Sequence, residues 1–302
     1  MIPGLESLVQ HELANKLPSG SYQVFGYPRE GRVSIRYEGD VTSILALRSV
    51  VAIHRVEQFD VTRPRALLGH HNMTRILASL RSVVNIHPRK GFNTFRISAA
   101  GEESTVYKRL RCEIAASLDL DYSPDVAHLM ISVRKSPTDR NRWQVLVRLT
   151  PMPLSARSWR ACNRPDALNA TIAYAMVSLA NPESRECFLN LGCGSGSLLI
   201  ERLLLGPAST VVGVDISEDA LDCTRKNLSV AGLSALPVLM RCDMQCLPLS
   251  DASFDTIVTD LPFGMIRGTR VDLNTVYSGA LSEAVRLVRP GGIFVAITAR
   301  RR

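Results

Sequence analysis

The stretch FLNLGCGSGSLLIE, residues 188–201, joins an apolar run to a glycine loop and then to a second apolar run. A short apolar run before such a loop is typical of a buried parallel strand, here predicted at 187–191, and the run after it predicts a helix through residue 205. Glycines let the main chain approach a ligand closely at a helix N-terminus. A dinucleotide fingerprint G-x-G-x-x-G would need a glycine at residue 197, where Ser197 stands, so a pyrophosphate cofactor is disfavoured.

The same alternation of strand and helix continues on both sides of this loop. We predict helices at 168–179, 220–230 and 281–288, and further strands at 211–215, 237–241, 256–259 and 293–298. Buried parallel strands joined by helices form a doubly wound α/β sheet, with ligands at the carboxyl ends of the strands. Residues 166–302 are therefore predicted to form a Rossmann-like domain.

Acidic residues follow two of the predicted strands. Asp215 ends the second strand, where acidic side chains of such folds bind ribose hydroxyls, and Asp243 follows the third strand, where it can bind an adenine amino group. Either residue alone fits a plain turn, since Gly and Asp favour turns. Their order and spacing after the glycine loop favour a nucleoside site.

Four motifs, FLNLGCGSGSLLIE, VVGVDIS, RCD and TDLPFG, together resemble those of class I S-adenosylmethionine-dependent methyltransferases. The resemblance implies S-adenosylmethionine as the cofactor and no metal. It also implies a set of cofactor-binding residues: Asn169, Leu191, Gly192, Gly194, Gly196, Asp215, Ile216, Asp243, Met244 and Asp260.

The tetrad Asp260-Leu-Pro-Phe263 is the most specific motif in the chain. It is similar to the acidic-or-Asn, x, Pro, aromatic tetrad of enzymes that methylate exocyclic amino groups of bases, which implies catalytic roles for Asp260, Pro262 and Phe263. Such an amine is a poor nucleophile because its lone pair is delocalised into the ring. The Asp260 carboxylate and a main-chain carbonyl at Leu261 or Pro262 can accept its two N–H groups while Phe263 stacks on the base, so catalysis works by orientation.

The basic charge is concentrated in the first half of the chain. Residues 1–165 carry 24 Lys and Arg against 14 Asp and Glu, a net charge of +10, whereas the remainder has a net charge of −2. Of the 36 basic residues 31 are Arg, the side chain that binds phosphate bidentately and stacks on bases. The pattern favours a nucleic-acid partner. An Arg-rich genome is the alternative explanation.

The first 150 residues alternate between predicted helices and strands. We predict helices at 5–17, 41–47, 66–80 and 105–118, and strands at 31–37, 49–57, 94–98, 128–134 and 142–149. The stretches PGLESLVQHEL, LRSVVAIHRV, RPRALLGHH and TFRISAAGEESTVYKRL resemble the N-terminal half of THUMP-containing tRNA guanine-N2 methyltransferases. The resemblance implies a ferredoxin-like unit (1–57), a THUMP RNA-binding domain (58–150), a linker (151–165) and a tRNA acceptor region as partner.

Two departures from that family are visible in the sequence. Such chains usually begin with a strand before the Pro-Gly-Leu-Glu stretch, and they continue into a hairpin that completes a seven-stranded sheet. Here Met1 almost abuts the stretch and the sequence stops at residue 302. We therefore expect the catalytic sheet to lack the last hairpin, with its fifth strand at an edge.

Seven scattered cysteines without a C-x-x-C pair predict neither a disulfide framework nor a zinc site, although Cys242 and Cys246 are close enough in sequence to share a metal. No apolar run is long enough to span a membrane, and we expect a cytoplasmic protein. The leading hypothesis is methylation of guanine N2 in tRNA. An RNA-binding protein with an inactive methyltransferase domain and an adenine-N6 methyltransferase are the alternatives.

Overall fold

The computed structural model describes residues 1–29, 31–87, 91–139, 141–233, 237–262, 265–266, 269–270 and 272–298. The chain divides into a first compact unit, Pro3–Leu154, and a second that begins at Ser155. This division falls inside the stretch 151–165 that the sequence assigns to a linker.

The first unit is a mixture of helices and strands. Its helices are α1 (Glu6–Lys16), α2 (Val41–Leu45), α3 (His70–Val84) and α4 (Thr105–Leu118). Its strands are β1 (Tyr22–Arg29), β2 (Arg32–Tyr37), β3 (His54–Phe59), β4 (Thr94–Ala99), β5 (Asp121–Tyr122), β6 (Leu129–Lys135) and β7 (Trp143–Arg148). Strands β1 and β2 form an antiparallel hairpin, and the other five form a sheet in the order β3-β7-β6-β4-β5. One hydrophobic cluster runs from α1 to β7.

Strand β3 begins later than the sequence predicts and pairs differently. The predicted strand at 49–57 starts instead at His54, because the main-chain N–H groups of Arg48 and Ser49 donate to the buried Glu12 carboxylate and are not available to a ladder. Strand β3 then pairs antiparallel with β7. The proposed boundary at residue 57 therefore lies inside a strand whose partner is β7.

The second unit is a parallel sheet flanked by helices. Its helices are α5 (Ala170–Leu179), α6 (Ser197–Leu203), α7 (Glu218–Val230) and α8 (Leu273–Leu287). Its strands are β8 (Cys187–Leu191), β9 (Thr210–Asp215), β10 (Pro237–Arg241), β11 (Phe254–Asp260), β12 (Met265–Ile266), β13 (Thr269–Arg270) and β14 (Val288–Ile297). Strands β12 and β13 pair with each other. Among the described residues the main sheet has the order β10-β9-β8-β11-β14, with every pair parallel. In the described part of the chain β14 lies at one edge, as expected for the fifth strand.

The central strands of this sheet are buried on both faces. Phe188, Leu189 and Leu191 of β8 are 0% exposed, as are Ile257 and Val258 of β11. Such burial is typical of parallel strands covered by helices on both faces and explains their continuous apolar runs. The order places β8 in the middle, so the loops that follow β8, β9 and β11 meet at one end of the sheet.

A disulfide joins Cys162 to Cys223 of α7, with 5.4 Å between the two Cα atoms. The sequence predicts no disulfide framework, and it contains no indication of this single bond. The two residues are 61 positions apart in sequence, so spacing gives no sign of the pairing. The Asn227 side chain holds residue 162 at α7, because its Oδ1 accepts from the Cys162 N–H at 2.7 Å and its Nδ2 donates to the Cys162 carbonyl at 2.9 Å.

No helix among the described ranges is long and apolar enough to cross a membrane. Within the same ranges no group of three or more His, Cys, Asp and Glu side chains is arranged to hold a metal ion.

Candidate active site

The site is built at the carboxyl ends of three neighbouring strands. Strand β8 ends at Leu191, β9 at Asp215 and β11 at Asp260. In the sheet register Leu191 pairs with Val214 on one side and with Thr259 on the other. The glycine loop therefore begins between the two aspartates, as the strand pattern predicts.

The glycine loop adopts a backbone that other residues rarely adopt. Gly192, Gly194 and Gly196 all have positive φ, at 63°, 58° and 82°. A Cβ at Gly192 would lie 2.7 Å from the Met244 side chain, whereas a Cβ at Gly194 would meet nothing within 4 Å. Because Thr224 Oγ1 donates to the Gly194 carbonyl at 2.8 Å, the loop is also fixed from α7. The open side at Gly194 is the face that a ligand can approach.

Asp215 connects this loop to the next strand. Its Oδ2 accepts from the Gly194 N–H at 2.8 Å and its Oδ1 from the Ser217 N–H at 2.9 Å. Each carboxylate oxygen has two lone pairs, so one remains on each for ligand hydroxyl groups. Asp215 thus shapes the loop and keeps capacity for two further hydrogen bonds.

An apolar surface lies beside these acceptors. Ile216, directly after Asp215, is 58% exposed, which is unusual for an isoleucine next to a buried sheet. Asp243 accepts from the Gln245 N–H at 2.9 Å in the following loop. Apolar side chains such as exposed Ile216 and partly buried Met244 suit contact with a purine ring. The carboxylate of Asp243 suits contact with its amino group.

Two of the residues predicted to bind the cofactor have other roles in the structure. The Leu191 side chain is completely buried in the core, so only its main chain can reach a ligand. Asn169 is the N-cap of α5, where its Oδ1 accepts from the Thr171 N–H at 2.9 Å. The neighbouring Leu168 carbonyl accepts from Arg160, which also donates to Ser197 Oγ at the start of α6. Among the described residues no hydrogen bond joins the Asn169 side chain to the glycine loop.

Asp260 has a buried acceptor that nothing in the described chain satisfies. Its Oδ1 is inaccessible to solvent and has no hydrogen-bond partner. Burial, together with the negative charge of Asp166, raises the pKa of Asp260 to about 6. An unpaired buried carboxylate oxygen is costly for a folded chain and is typical of sites that bind a donor.

The residues after Asp260 are anchored through their main chain. The Leu261 N–H donates to the Ile297 carbonyl at 3.0 Å, and Tyr277 Oη donates to the Pro262 carbonyl at 2.7 Å. Phe263, the third predicted catalytic residue, lies outside the described residues.

Comparison with known proteins agrees with this geometry. The family model described as "UPF0020: RMKL-like, methyltransferase domain" matches residues 157–302. Over 99% of its length the chain is 30% identical to the tRNA (guanine(6)-N2)-methyltransferase of Thermus thermophilus and covers 87% of it. The chain belongs to the family of this tRNA (guanine-N2)-methyltransferase, and its residues 157–302 match the RMKL-like methyltransferase domain. The crystal structure of TrmN from Thermus thermophilus superposes on this RMKL-like methyltransferase with a TM-score of 0.71 and 25% identity, covering 99% of this chain and 87% of that one.

A second relative matches only the catalytic half. The human U6 snRNA (guanine-N(2))-methyltransferase THUMPD2 is 34% identical over 138 residues, which make up 46% of this chain and 27% of that protein. Together these matches confirm the predicted fold class, the methyltransferase activity and S-adenosylmethionine as the cofactor of this RMKL-like methyltransferase.

Sequence reasoning missed three residues that organise the RMKL-like methyltransferase site. Asn227 joins Cys162 to the glycine loop, since its Nδ2 also donates to the Ser195 carbonyl. Arg160 contacts the start of α6, and Tyr277 contacts Pro262. Each contact joins residues at least 15 positions apart, and no local pattern in a single sequence signals such contacts.

Proposed function

We propose that this enzyme transfers the methyl group of S-adenosylmethionine to the exocyclic N2 of a guanosine in tRNA. The observation that carries the proposal is the buried, unsatisfied Oδ1 of Asp260 at the end of β11, one strand away from the glycine loop. A carboxylate in that position requires an N–H or O–H donor. The amino group of guanine supplies one, and the relatives named above are guanine-N2 methyltransferases.

The residues around the glycine loop fit S-adenosylmethionine. The main chain at Gly194 is open to a ligand, Asp215 has lone pairs for the two ribose hydroxyls, and Ile216 offers an apolar face for the adenine. When bound there, the cofactor supplies a methyl group activated by its sulfonium charge. Met244 and Asp243 complete the adenine side of the site.

Asp260 and Leu261 are proposed to orient the acceptor amine. The Asp260 carboxylate is proposed to accept one N–H and the Leu261 carbonyl the other, while the Tyr277 hydroxyl occupies one of the two lone pairs of the Pro262 carbonyl. With both N–H groups held, the nitrogen lone pair is directed at the methyl carbon, and this orientation accounts for most of the rate. The sulfonium would leave as the neutral thioether S-adenosylhomocysteine, and the Asp260 carboxylate, which accepts the amine N–H, would take up the proton of the methylated nitrogen and pass it to water. Pro262 fixes the turn through its locked φ, and Phe263 is assigned to stack on the base.

Loss of the Asp215 charge is expected to weaken cofactor binding. Asp215→Asn keeps the shape of the side chain but replaces one of the two acceptor oxygens by an NH2 group, which cannot accept from the main-chain N–H and the ribose hydroxyl on that side. Hydrogen bonds to a charged group contribute about 1.5–3 kcal/mol each, so we expect the dissociation constant of S-adenosylmethionine to rise about a hundredfold. Isothermal titration calorimetry measures it, with Asp222→Asn on the exposed face of α7 as the matched control. Equal affinity in both variants would contradict the assignment of ribose to Asp215.

The first unit is proposed to bind the RNA, through a THUMP domain at 58–150 preceded by a ferredoxin-like unit at 1–57. The sheet β3-β7-β6-β4-β5 buries one face under α3 and α4, and its other face carries Arg96, Arg134, Arg148 and His54. Arg96 and Arg134 are half-buried, and the Nε atom of each is inaccessible to solvent and has no hydrogen-bond partner in the described chain. Arg148 donates to the carbonyls of His128, Thr150 and Pro151, so its charge contributes to this face while its N–H groups are largely occupied. Desolvation and the charges of Arg148 and Arg134 lower the pKa of His54 to about 4. This positive face suits an RNA phosphate backbone.

Removal of two of these charges is expected to weaken tRNA binding without affecting the chemistry. For the double variant Arg96→Gln, Arg134→Gln we expect about tenfold weaker binding at roughly 0.15 M salt, and a salt dependence less steep by about one unit for each arginine. Fluorescence anisotropy with labelled tRNA at several salt concentrations measures both quantities. Arg225→Gln, on α7 and paired with Glu218 and Asp222, is the control. An unchanged salt slope in the double variant would place the RNA elsewhere.

The nucleoside product tests the proposed function directly. Transfer RNA is incubated with the enzyme and S-adenosylmethionine, digested to nucleosides and weighed by mass spectrometry. The expected product is N2-methylguanosine. Detection of N6-methyladenosine would show that the acceptor is adenine, since the tetrad at residue 260 fits both amines. If no methylated nucleoside is found although the protein binds tRNA normally, the result would favour an RNA-binding protein with an inactive methyltransferase domain. With tRNA as the substrate, the enzyme is proposed to work in the cytoplasm. A guanosine that is paired in a stem must be flipped out of the helix to reach Asp260.

A further inference from the structure

The Leu261 carbonyl lies between two anchored groups of the main chain. On one side, the N–H of the same residue donates to Ile297 at the end of β14. On the other side, the next carbonyl, that of Pro262, accepts from the Tyr277 hydroxyl at 2.7 Å. The Leu261 carbonyl, which is proposed to accept a hydrogen bond from the amine, is thus held by an anchored group on each side. The proline ring further restricts the backbone at residue 262.

A chain of two hydroxyl groups forms the second anchor. Thr298 Oγ1 donates to Tyr277 Oη at 3.0 Å, and Tyr277 Oη donates its own hydrogen to Pro262. A phenol has a single hydrogen, so the bond from Thr298 leaves that hydrogen directed to the carbonyl. Successive hydrogen bonds of this kind strengthen one another. The hydroxyl chain joins α8 and the end of β14 to the turn after β11.

Helix α8 is itself fixed at its beginning and along its length. Asp272 caps it by accepting from the Asn274 N–H at 3.1 Å and from Thr275 Oγ1 at 2.7 Å. A Cβ at Gly279 would lie 2.7 Å from the Gln245 side chain, so the helix lies directly against the loop that holds Asp243. Tyr277 therefore lies on a helix whose position is fixed by these contacts.

We propose that Tyr277, assisted by Thr298, is a positioning residue for the methyl transfer. It fixes the orientation of the Leu261 carbonyl toward the acceptor amine by holding the adjacent Pro262 carbonyl. It touches neither the cofactor nor the base. The inference rests on the proposed function, because it needs an amine at Asp260 and Leu261, and it adds a residue outside the tetrad.

The test is the pair Tyr277→Phe and Tyr107→Phe. Both remove only a hydroxyl, but that of Tyr107 is buried in the first unit with no partner among the described residues. For Tyr277→Phe we expect kcat to fall about tenfold while KM for S-adenosylmethionine stays within twofold, because a misoriented acceptor slows the chemical step and leaves cofactor contacts intact. Tyr107→Phe should keep the wild-type kcat.

Thr298 offers a rescue experiment. Thr298→Ser keeps the hydroxyl and should retain kcat within twofold, whereas Thr298→Val should lower it about threefold. Hydrogen exchange provides a readout independent of activity: peptides that contain the Leu261 N–H should exchange faster in Tyr277→Phe, while those from α6 stay unchanged. A loss of kcat matched by an equal loss of cofactor affinity would instead indicate a general structural role.

Two outcomes separate the failure of this inference from that of the proposed function. A wild-type enzyme that methylates an amine and a Tyr277→Phe variant with unchanged kcat would overturn only the role of Tyr277. A wild-type enzyme that methylates no nucleoside would remove the proposed function, and with it the positioning role.

Discussion

Asp260→Ala is expected to lower the rate of methyl transfer about 10²–10³-fold while the dissociation constant of S-adenosylmethionine stays within a few-fold of the wild-type value. The loss follows from removing a preorganised polar group at the reacting centre, an effect of this size in other active sites. Single-turnover transfer to tRNA and calorimetry with the cofactor measure the two quantities. Asp251→Ala, which removes an exposed carboxylate shortly before β11, is the control. Transfer at the wild-type rate by Asp260→Ala would show that Asp260 has no catalytic role.

The pKa of Asp260 gives this prediction a pH dependence. Only the ionised carboxylate accepts through both oxygens, and its pKa is raised from 3.8 to about 6 by burial and by Asp166. Turnover of the wild type should therefore rise between about pH 5 and pH 7, with a midpoint near 6. Asp260→Asn, which keeps one acceptor oxygen and does not titrate, should be slower and should lack this rise. A midpoint that survives in Asp260→Asn would assign the titration to another group.

The raised pKa of Asp260 also affects stability, which should fall as pH rises, whereas turnover should increase. Because the folded-state pKa lies above the unfolded value, the folded chain binds more protons between pH 3.8 and about 6, and the contribution of Asp260 to stability falls as pH rises through that window. At pH 8 Asp260→Asn should therefore unfold at a higher temperature than the wild type. The difference should disappear below about pH 3, where the wild-type carboxyl is protonated in both the folded and the unfolded state.

Reduction of the Cys162–Cys223 disulfide is expected to lower the free energy of unfolding by about 4 kcal/mol. The value comes from the chain-entropy relation for a closed loop of 61 residues. Urea unfolding with and without a phosphine reductant measures it, and Cys162→Ser without reductant should match the reduced wild type. The exposed thiols of Cys112 and Cys246 serve as controls, since their replacement by Ser should have little effect.

Alkylation of the unfolded chain tests whether the disulfide forms. With the bond intact, five of the seven cysteines take up label under denaturing conditions, and all seven do so after reduction. Seven labels without reductant would mean that the two sulfurs are not bonded. Asn227 would still hold the main chain of Cys162 against α7 in the reduced protein, so cofactor affinity should change less than stability.

The strands of the second unit are predicted well because their signals are local, whereas helix α8 begins at Leu273, eight residues before the predicted start at 281. Buried parallel strands are continuous apolar runs, and the predicted strands at 187–191 and 237–241 have the observed bounds of β8 and β10. The glycine loop and the aspartates that follow the strands come to the same end of the sheet because parallel strands share that end. Asp260, Asp215 and Gly194 could therefore be placed without long-range information.

What the sequence does not predict depends on contacts between distant residues. Strand β1 was not predicted because YQVFGYPR contains Gly and Pro and shows no clear alternation of apolar and polar residues. Its extended conformation depends on pairing with β2, which a local pattern does not show. Strand β3 was placed too early because the bonds from Arg48 and Ser49 to Glu12 span more than 35 residues. The disulfide and the Tyr277 contact also need the folded chain. The domain assignments at 1–57 and 58–150 stay predictions.

Helix α8 contacts two loops that serve different ligands in the proposed site. Tyr277 holds the turn after Asp260, and Gly279 and Glu283 lie against the loop at 243–249, where Glu283 accepts from the Leu247 N–H at 2.8 Å. Helix α8 therefore joins the loop proposed to contact the methyl donor to the turn proposed to orient the acceptor base. Substitutions on the face of α8 that carries Tyr277, Gly279 and Glu283 are therefore expected to displace both loops together.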